Sequence, residues 1–136
     1  ITKGGHFLQQ ASKGDSLSKY HLEASIAYWH TIKADTKEKW ENILQLYNCL
    51  LQVKYSPIAA LNRTYALSKA NNKAEAIAEA EKLKLSDNPY YHSLLGELYT
   101  DLDNKKAIDH LKTAIVLAKS NADKAILSKR IMNIER

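Results

Sequence analysis

Histidine is the residue type in this chain whose spacing would first suggest chemistry, because imidazole binds metals and transfers protons near neutral pH. A metal site on one helix commonly pairs two histidines four residues apart, so that both lie on one face. No two histidines here have that spacing, and His21 and His30 would project from roughly opposite faces of a helix. The pattern therefore predicts no metal site. The five histidines are His6, His21, His30, His92 and His110.

Other residue patterns that carry catalysis are also missing from the sequence. There is no glycine-rich phosphate-binding loop, no G-x-S-x-G motif and no cysteine–histidine arrangement. The single cysteine, Cys49, lies in an apolar stretch and is interpreted as a buried structural thiol. The carboxylates of Glu75, Glu79 and Glu81 intermix along the chain with Lys73, Lys82 and Lys84, which is typical of a solvated helix face. We therefore expect no catalytic residue, no cofactor and no enzymatic activity.

Length and composition favour a single helical domain. The chain has 136 residues, 45% of them hydrophobic and 26% charged, with only four glycines and two prolines. These proportions provide a core but too few turn residues for a β-rich fold. No apolar run reaches the roughly 18–20 residues of a membrane span, and no signal-peptide pattern opens the chain, so we expect a cytoplasmic protein. The net charge of +5 is spread over both ends rather than gathered in one basic stripe, which does not indicate nucleic-acid binding by this segment alone.

Apolar residues recur every three or four positions along most of the chain, which predicts helices. The clearest signals surround Pro57, which suits the first turn of a helix that Ser56 would cap. A short helix over 2–12 would end at Lys13-Gly14, and Asp35 or Thr36 would cap the helix that contains Trp40. The further predicted helices span about 17–34, 37–55, 57–70, 73–83, 89–102, 105–119 and 122–136.

The predicted helices repeat with a period of 34 residues. Residues 95–99 form the pattern L-G-x-x-Y, which is the front half of a tetratricopeptide repeat, and residues 61–65 form L-N-x-x-Y. Gly96 would let a neighbouring helix approach closely, whereas Asn62 stands at the same position one period earlier. The alternative is a generic α-helical bundle in which the similarity is accidental.

This repeat predicts an all-α, tetratricopeptide-like array of antiparallel helical hairpins, forming a single domain over residues 1–136. Three hairpins are expected at about 17–55, 57–83 and 89–118. A short helix would precede them and a capping helix would follow.

Repeats of this kind stack into an array whose concave groove is lined by the first helix of each repeat. Counting from the glycine position, Arg63, Glu97 and Asp101 would face that groove. These side chains would form either a salt-linked surface that contributes little to stability or a site that grips a peptide or helix of a partner. We also expect Leu61, Asn62 and Tyr65 to pack against the preceding hairpin.

Residues 20–67 resemble a group of bacterial RNA polymerase sigma factors, the extracytoplasmic-function (ECF) sigma factors that carry a tetratricopeptide-like C-terminal extension. The group's Y-x-L-x-A-A-I-A…H pattern is similar to residues 20–30, its W-x-x-I-x-x-L-Y-x-x-L-L pattern to residues 40–51, and its S-P-x-x-A-L-N-R pattern to residues 56–63. The resemblance continues more weakly over the rest of the chain. Its signature positions are Tyr20, His21, Glu23, His30, Trp40, Tyr47, Pro57, Asn62 and Arg63.

The resemblance implies that the chain is the C-terminal part of such a sigma factor, and its start at Ile1 rather than methionine agrees with a fragment. The domains that bind core polymerase and the promoter would lie upstream, and promoter DNA would be contacted only through them. The extension would then regulate transcription initiation through contacts with its own upstream sigma domains or with the RNA polymerase core.

Two other functions fit the sequence less directly. The basic termini would allow a helical extension that contacts DNA itself. A gap between helices near Tyr28, Trp29 and His30 would allow a sensor that binds a small molecule.

Overall fold

The computed structural model describes residues 11–136, with the backbone alone described for residues 11–17. Most of the helix predicted over residues 2–12 therefore lies outside the described residues. The described part of the chain contains seven helices and no strand. They are α1 (Ala11–Thr31), α2 (Lys37–Val53), α3 (Pro57–Ala70), α4 (Lys73–Lys82), α5 (Pro89–Tyr99), α6 (Asn104–Leu117) and α7 (Asn121–Glu135).

The helices form two compact units. The first unit ends at Ala70 and holds α1, α2 and α3, and the second, Asn71–Arg136, holds α4 to α7. The division falls inside the hairpin predicted over 57–83, so the packing of that hairpin stays a prediction, as does the single-domain organisation. Among the helices of the described residues, none combines the length and the apolarity that crossing a membrane requires.

In the first unit, α2 packs against both α1 and α3. The side chain of Thr36 caps α2 by accepting a hydrogen bond from the backbone N–H of Lys39 at 3.1 Å, and Ser56 caps α3 by accepting from the N–H of Ala59 at 3.0 Å. The apolar face of α2 supplies most of the core between the three helices. The buried residues of this core are Ile26, Trp40, Ile43, Tyr47, Leu50, Ala66 and Ala70.

The indole of Trp40 joins all three helices of the first unit. Its ring meets His30 of α1 and Tyr65 of α3 edge to face, with centroid distances of 5.8 and 5.4 Å. Its Nε1–H donates a hydrogen bond to Asp35. The buried amine of Lys39 lies 5.1 Å from the indole centroid and donates to the carbonyl oxygen of Ile32, just beyond the C-terminus of α1. The expected packing of Tyr65 on the preceding hairpin is therefore confirmed.

In the second unit, α5 packs along α6 at a distance that only glycine permits. A Cβ added to Gly96 would lie 2.7 Å from both Cγ and Cδ2 of Leu111 and 3.3 Å from the carbonyl oxygen of Ala107. The small residue therefore brings the two helices together, as the sequence predicts. On its other side α6 packs against α7, and Leu111 forms a cluster with Ala114, Leu127 and Ile131.

Three predicted helix boundaries are wrong. Lys13-Gly14 does not end a helix, since α1 continues through it; a glycine in a helix costs only about 1 kcal/mol, which a long helix tolerates. Helix α1 ends at Thr31 rather than near 34. Just beyond this end, the Lys39 amine donates a hydrogen bond to the carbonyl oxygen of Ile32. Helix α5 ends at Tyr99 rather than 102 because Thr100, whose hydroxyl donates to the carbonyl of Gly96, leaves helical geometry with a ψ of 131°.

Replacing Gly96 with alanine should destabilise the second unit. The added methyl group would overpack the contact with Leu111 at a cost of about 1–3 kcal/mol, which the gain of about 1 kcal/mol in helix propensity only partly offsets. Urea unfolding followed by circular dichroism measures the change. Because Leu111→Ala removes the clashing atoms, the double variant should lose clearly less stability than the sum of the two single losses. Strict additivity would contradict the close contact.

Candidate functional site

A cavity of about 320 Å³ opens in the first unit between α1 and α3, with α2 at its base. Most of its wall is apolar, and a few polar side chains project into it. This combination is typical of binding sites, where apolar area contributes affinity and isolated polar groups fix orientation. The lining residues are Glu23, Ile26, Ala27, His30, Tyr47, Leu50, Ser56, Ile58, Ala59 and Asn62.

The polar lining of this cavity consists mostly of signature positions of the sequence. Helix α1 supplies Glu23 and His30, which are seven residues apart and therefore project from the same side two turns apart. Helix α2 supplies Tyr47 and α3 supplies Asn62. Three separate helices thus bring together four residues that are scattered over forty positions of the chain.

The ionisable groups of the cavity keep distinct charge states. Burial raises the pKa of the Tyr47 phenol, and the nearby Glu23 carboxylate raises it further; the hydrogen bond with Asn62 acts in the opposite direction. Burial and the charge of Lys39 lower the pKa of His30. Near pH 7 the cavity therefore presents a neutral phenol, a neutral imidazole and the anionic carboxylate of Glu23.

The other signature positions serve elsewhere in the first unit. Tyr20 and His21 lie on the exposed side of α1 with ring centroids 5.9 Å apart. Trp40 belongs to the core and Pro57 begins α3. Arg63 is half-buried and its Nε–H donates to Oδ1 of Asn48, a residue of α2, at 2.6 Å.

The three residues predicted to line a common groove are distributed over both units. Arg63 belongs to the first unit and does not line the cavity there. Glu97 is on α5, with its carboxylate 3.9 Å from the Arg130 guanidinium of α7. Asp101 lies beyond α5 in a turn with a φ of 70°, and its backbone N–H donates to Oδ1 of Asn104. Their role in a groove stays a prediction.

Of the three residues around which a small-molecule site is predicted, only His30 lines the cavity. Tyr28 is exposed, with its ring edge-on to Trp29, and Trp29 packs against the core. Among the described residues, no group of three or more histidine, cysteine, aspartate or glutamate side chains could hold a metal ion.

A pair of histidines links α5 to α6 in the second unit. Nδ1 of the buried His92 lies 3.0 Å from Nδ1 of His110, and Nε2 of His92 lies 2.8 Å from the carbonyl oxygen of Ser86. A carbonyl oxygen only accepts, so His92 carries its proton on Nε2 and its Nδ1 accepts from the Nδ1–H of His110. His110 also stacks on Tyr99, whose hydroxyl donates to Glu81 at 2.7 Å.

Spacing within one helix does not indicate this pair, because its members lie on different helices. The register of the hairpin formed by α5 and α6 would have indicated it. Gly96 faces Ala107, His92 lies one turn before Gly96, and His110 lies one turn after Ala107, so the two histidines face each other. Burial lowers the pKa of His110 and the neighbouring His92 lowers it further, so the His110 imidazole is neutral near pH 7. Burial and the hydrogen bond to Glu81 raise the pKa of Tyr99 to about 12.

A second, larger cavity of about 460 Å³ lies in the second unit between the start of α5 and α7. The polar side chains of its lining are Tyr90, Ser93, Lys119, Asp123 and Arg130. Arg130 also donates to the Ser93 hydroxyl at 3.3 Å. The guanidinium therefore already contacts both Ser93 and Glu97.

Comparison with known proteins places the fold. No protein-family model matches the chain. An uncharacterised protein of Rhizobium meliloti is 32% identical over 136 residues, which cover 96% of this chain but 32% of that protein, so the chain spans about a third of the length of this relative. A solved structure of a thermophilic tetratricopeptide-repeat protein from Thermus thermophilus superposes with a TM-score of 0.67 at 19% identity, over 96% of this chain and 69% of that one. The predicted all-α, tetratricopeptide-like repeat fold is confirmed.

The stability of the chain should fall on acidification below about pH 6.5, and His110 should contribute to that fall. Its pKa is lower in the folded protein than the unperturbed value of about 6.5, so the unfolded chain binds more protons over this range. The stabilisation is complete above pH 6.5 and decreases as the pH falls towards the folded-state pKa. His30 contributes in the same direction.

Urea unfolding midpoints are measured between pH 8 and 5 for the wild type and for His110→Gln. The comparison distinguishes the contribution of His110 to the pH dependence of stability from that of His30. The variant should lose part of the acid dependence, and His30→Gln serves as the matched comparison in the other unit. Equal pH dependence in the wild type and in His110→Gln would contradict the lowered pKa of His110.

Proposed function

We propose that this chain is a protein-interaction module that binds its partner through the cavity of the first unit. The observation that carries the proposal is the convergence of Glu23, His30, Tyr47 and Asn62 on that cavity, between the first helices of two successive repeats. Interaction through such surfaces is common in helical-repeat proteins. The module would act by binding and not by catalysis.

We further propose that the module regulates an ECF-type sigma factor in the cytoplasm. The support is the sequence resemblance, which is most specific over residues 20–67 and includes the four signature residues that line the cavity. The length of the Rhizobium meliloti relative leaves room in that protein for polymerase- and promoter-binding domains. The proposed partners are the upstream sigma domains and the RNA polymerase core, with promoter DNA contacted only through those domains.

Small-molecule sensing is the second candidate function. A volume of about 320 Å³ is at the lower end of the range for small-molecule sites, roughly 300–1,000 Å³. The neutral imidazole of His30 and the amide of Asn62 would provide hydrogen bonds to such a ligand. Direct contact with DNA through the basic ends of the chain remains the third candidate.

A binding experiment with two matched variants tests the interaction proposal. The chain is immobilised, and the analytes are RNA polymerase core from Rhizobium meliloti and, separately, the part of the relative outside the matched region. We expect one of them to bind, with Ile58→Glu weakening the affinity roughly tenfold or more because it places a charge in the apolar wall. Val116→Glu is the control, since Val116 is 79% exposed and lies outside the cavity, whereas Ile58 is 45% exposed and lines it.

Each outcome decides a different part of the proposal. Absence of binding to both analytes would overturn the sigma-factor assignment. Equal loss in both variants, or none in Ile58→Glu, would overturn the cavity as the binding site. Strong binding to duplex DNA that weakens steeply with salt would favour direct DNA contact instead.

A further inference from the structure

The first-unit cavity is electrostatically different from the chain as a whole. The protein carries a net charge of +5, but the lining of this cavity contains one charged side chain, the carboxylate of Glu23, and no lysine or arginine. His30, the only other ionisable side chain of the lining besides Tyr47, is neutral near pH 7. The general field would attract acidic partners, whereas this site presents local negative charge.

The negative charge is confined to one end of the cavity. Glu23 and His30 are two helical turns apart, and the cationic amine of Lys39 acts on His30 at the far end. The apolar part of the wall includes Ile26, Leu50 and Ile58. An occupant that matches this pattern has a cationic group for Glu23 and an apolar group beside it.

The carboxylate of Glu23 already has a cation next to it. Nζ of Lys19, one turn earlier on α1, lies 3.4 Å from Oε2 of Glu23. Both side chains are about half exposed, 44% for Lys19 and 51% for Glu23, so this pair contributes little free energy and is easily exchanged. The intrahelical lysine shows that an amine fits beside this carboxylate, and it would compete with a cation supplied by a partner.

Two neutral polar groups stand near the carboxylate. The Tyr47 phenol is hydrogen-bonded to Asn62, and this bond lowers the pKa of the phenol, as expected when the amide donates to the phenol oxygen. The phenolic hydrogen then points away from that bond. Tyr47 itself is largely buried, so the position of its oxygen is fixed by the core.

We propose that this cavity takes up an arginine or lysine side chain of a partner protein, flanked by a large apolar side chain, with Glu23 as the recognising carboxylate. The inference rests on the proposed interaction function and adds the chemistry of the partner segment. Arginine fits better than lysine, because its planar guanidinium can bind the carboxylate through two donors at once.

Capped dipeptides in a solution NMR titration test the proposal without an identified partner. The probe is acetyl-Leu-Arg-amide, with acetyl-Leu-Gln-amide and acetyl-Leu-Glu-amide as matched controls. We expect the arginine peptide to shift the backbone amide signals around Glu23 and Asn62, with an affinity roughly threefold to tenfold higher than that of the glutamine peptide. The glutamate peptide should leave these signals unchanged.

Variants at the two charged positions should move the affinity in opposite directions. Glu23→Gln should reduce binding of the arginine peptide to the level of the glutamine peptide, while Lys19→Met should raise it roughly twofold to threefold by removing the competing amine. Glu41→Gln, an exposed carboxylate change on α2 outside the cavity, is the control and should have no effect.

The outcomes separate this inference from the proposed function. If RNA polymerase core or the sigma domains bind but the arginine peptide leaves the cavity signals unchanged, the basic-partner inference is wrong and the interaction function stands. If neither the proteins nor the peptide bind, both the basic-partner inference and the proposed interaction function are wrong. Equal affinity for butylguanidinium alone would overturn the inference in favour of a small cationic ligand.

Discussion

The close approach of α5 and α6 at Gly96 is the constraint on which the second unit depends. With no Cβ in the way, the Leu111 side chain and the Ala107 carbonyl lie against the backbone of α5. This single contact fixes the register of the hairpin, and the register in turn places His92 opposite His110. The buried ring of His92 is tolerable because both of its nitrogens are hydrogen-bonded, Nδ1 to His110 and Nε2 to the carbonyl oxygen of Ser86.

The first unit has a polar residue at the position equivalent to Gly96. Asn62 stands one 34-residue period before Gly96, but it is half-buried and hydrogen-bonded to Tyr47 of the preceding helix. The core is held instead by the indole of Trp40, which contacts α1 and α3 from its place on α2. Where the second unit uses glycine for close packing, the first unit therefore has a polar side chain lining a cavity. The two units therefore differ at the position that, in the first unit, lines the proposed binding cavity.

Local signals in the sequence are sufficient to predict where the helices lie, but they are insufficient to predict which residues of different helices contact each other. The bounds of α3 follow from Ser56 and Pro57, because a cap and an N1 proline act within one turn. A lone glycine such as Gly14 is a weaker signal, since its cost is small compared with the rest of a long helix. Glu23 and Asn62 appear in the sequence as signature positions, but their meeting in one cavity depends on three-helix packing that no periodicity encodes.

Tyr47 and Glu23 show why the proposed recognition at the cavity could change without loss of the fold. The ring of Tyr47 is part of the core while its hydroxyl is beside the cavity, so a change there alters packing and polarity together. Glu23 is about half exposed and is paired only weakly with Lys19, so its charge contributes little to stability. The charge that would select a partner is therefore carried by a residue the fold does not require. The shape of the site, in contrast, is set by residues that the fold cannot lose.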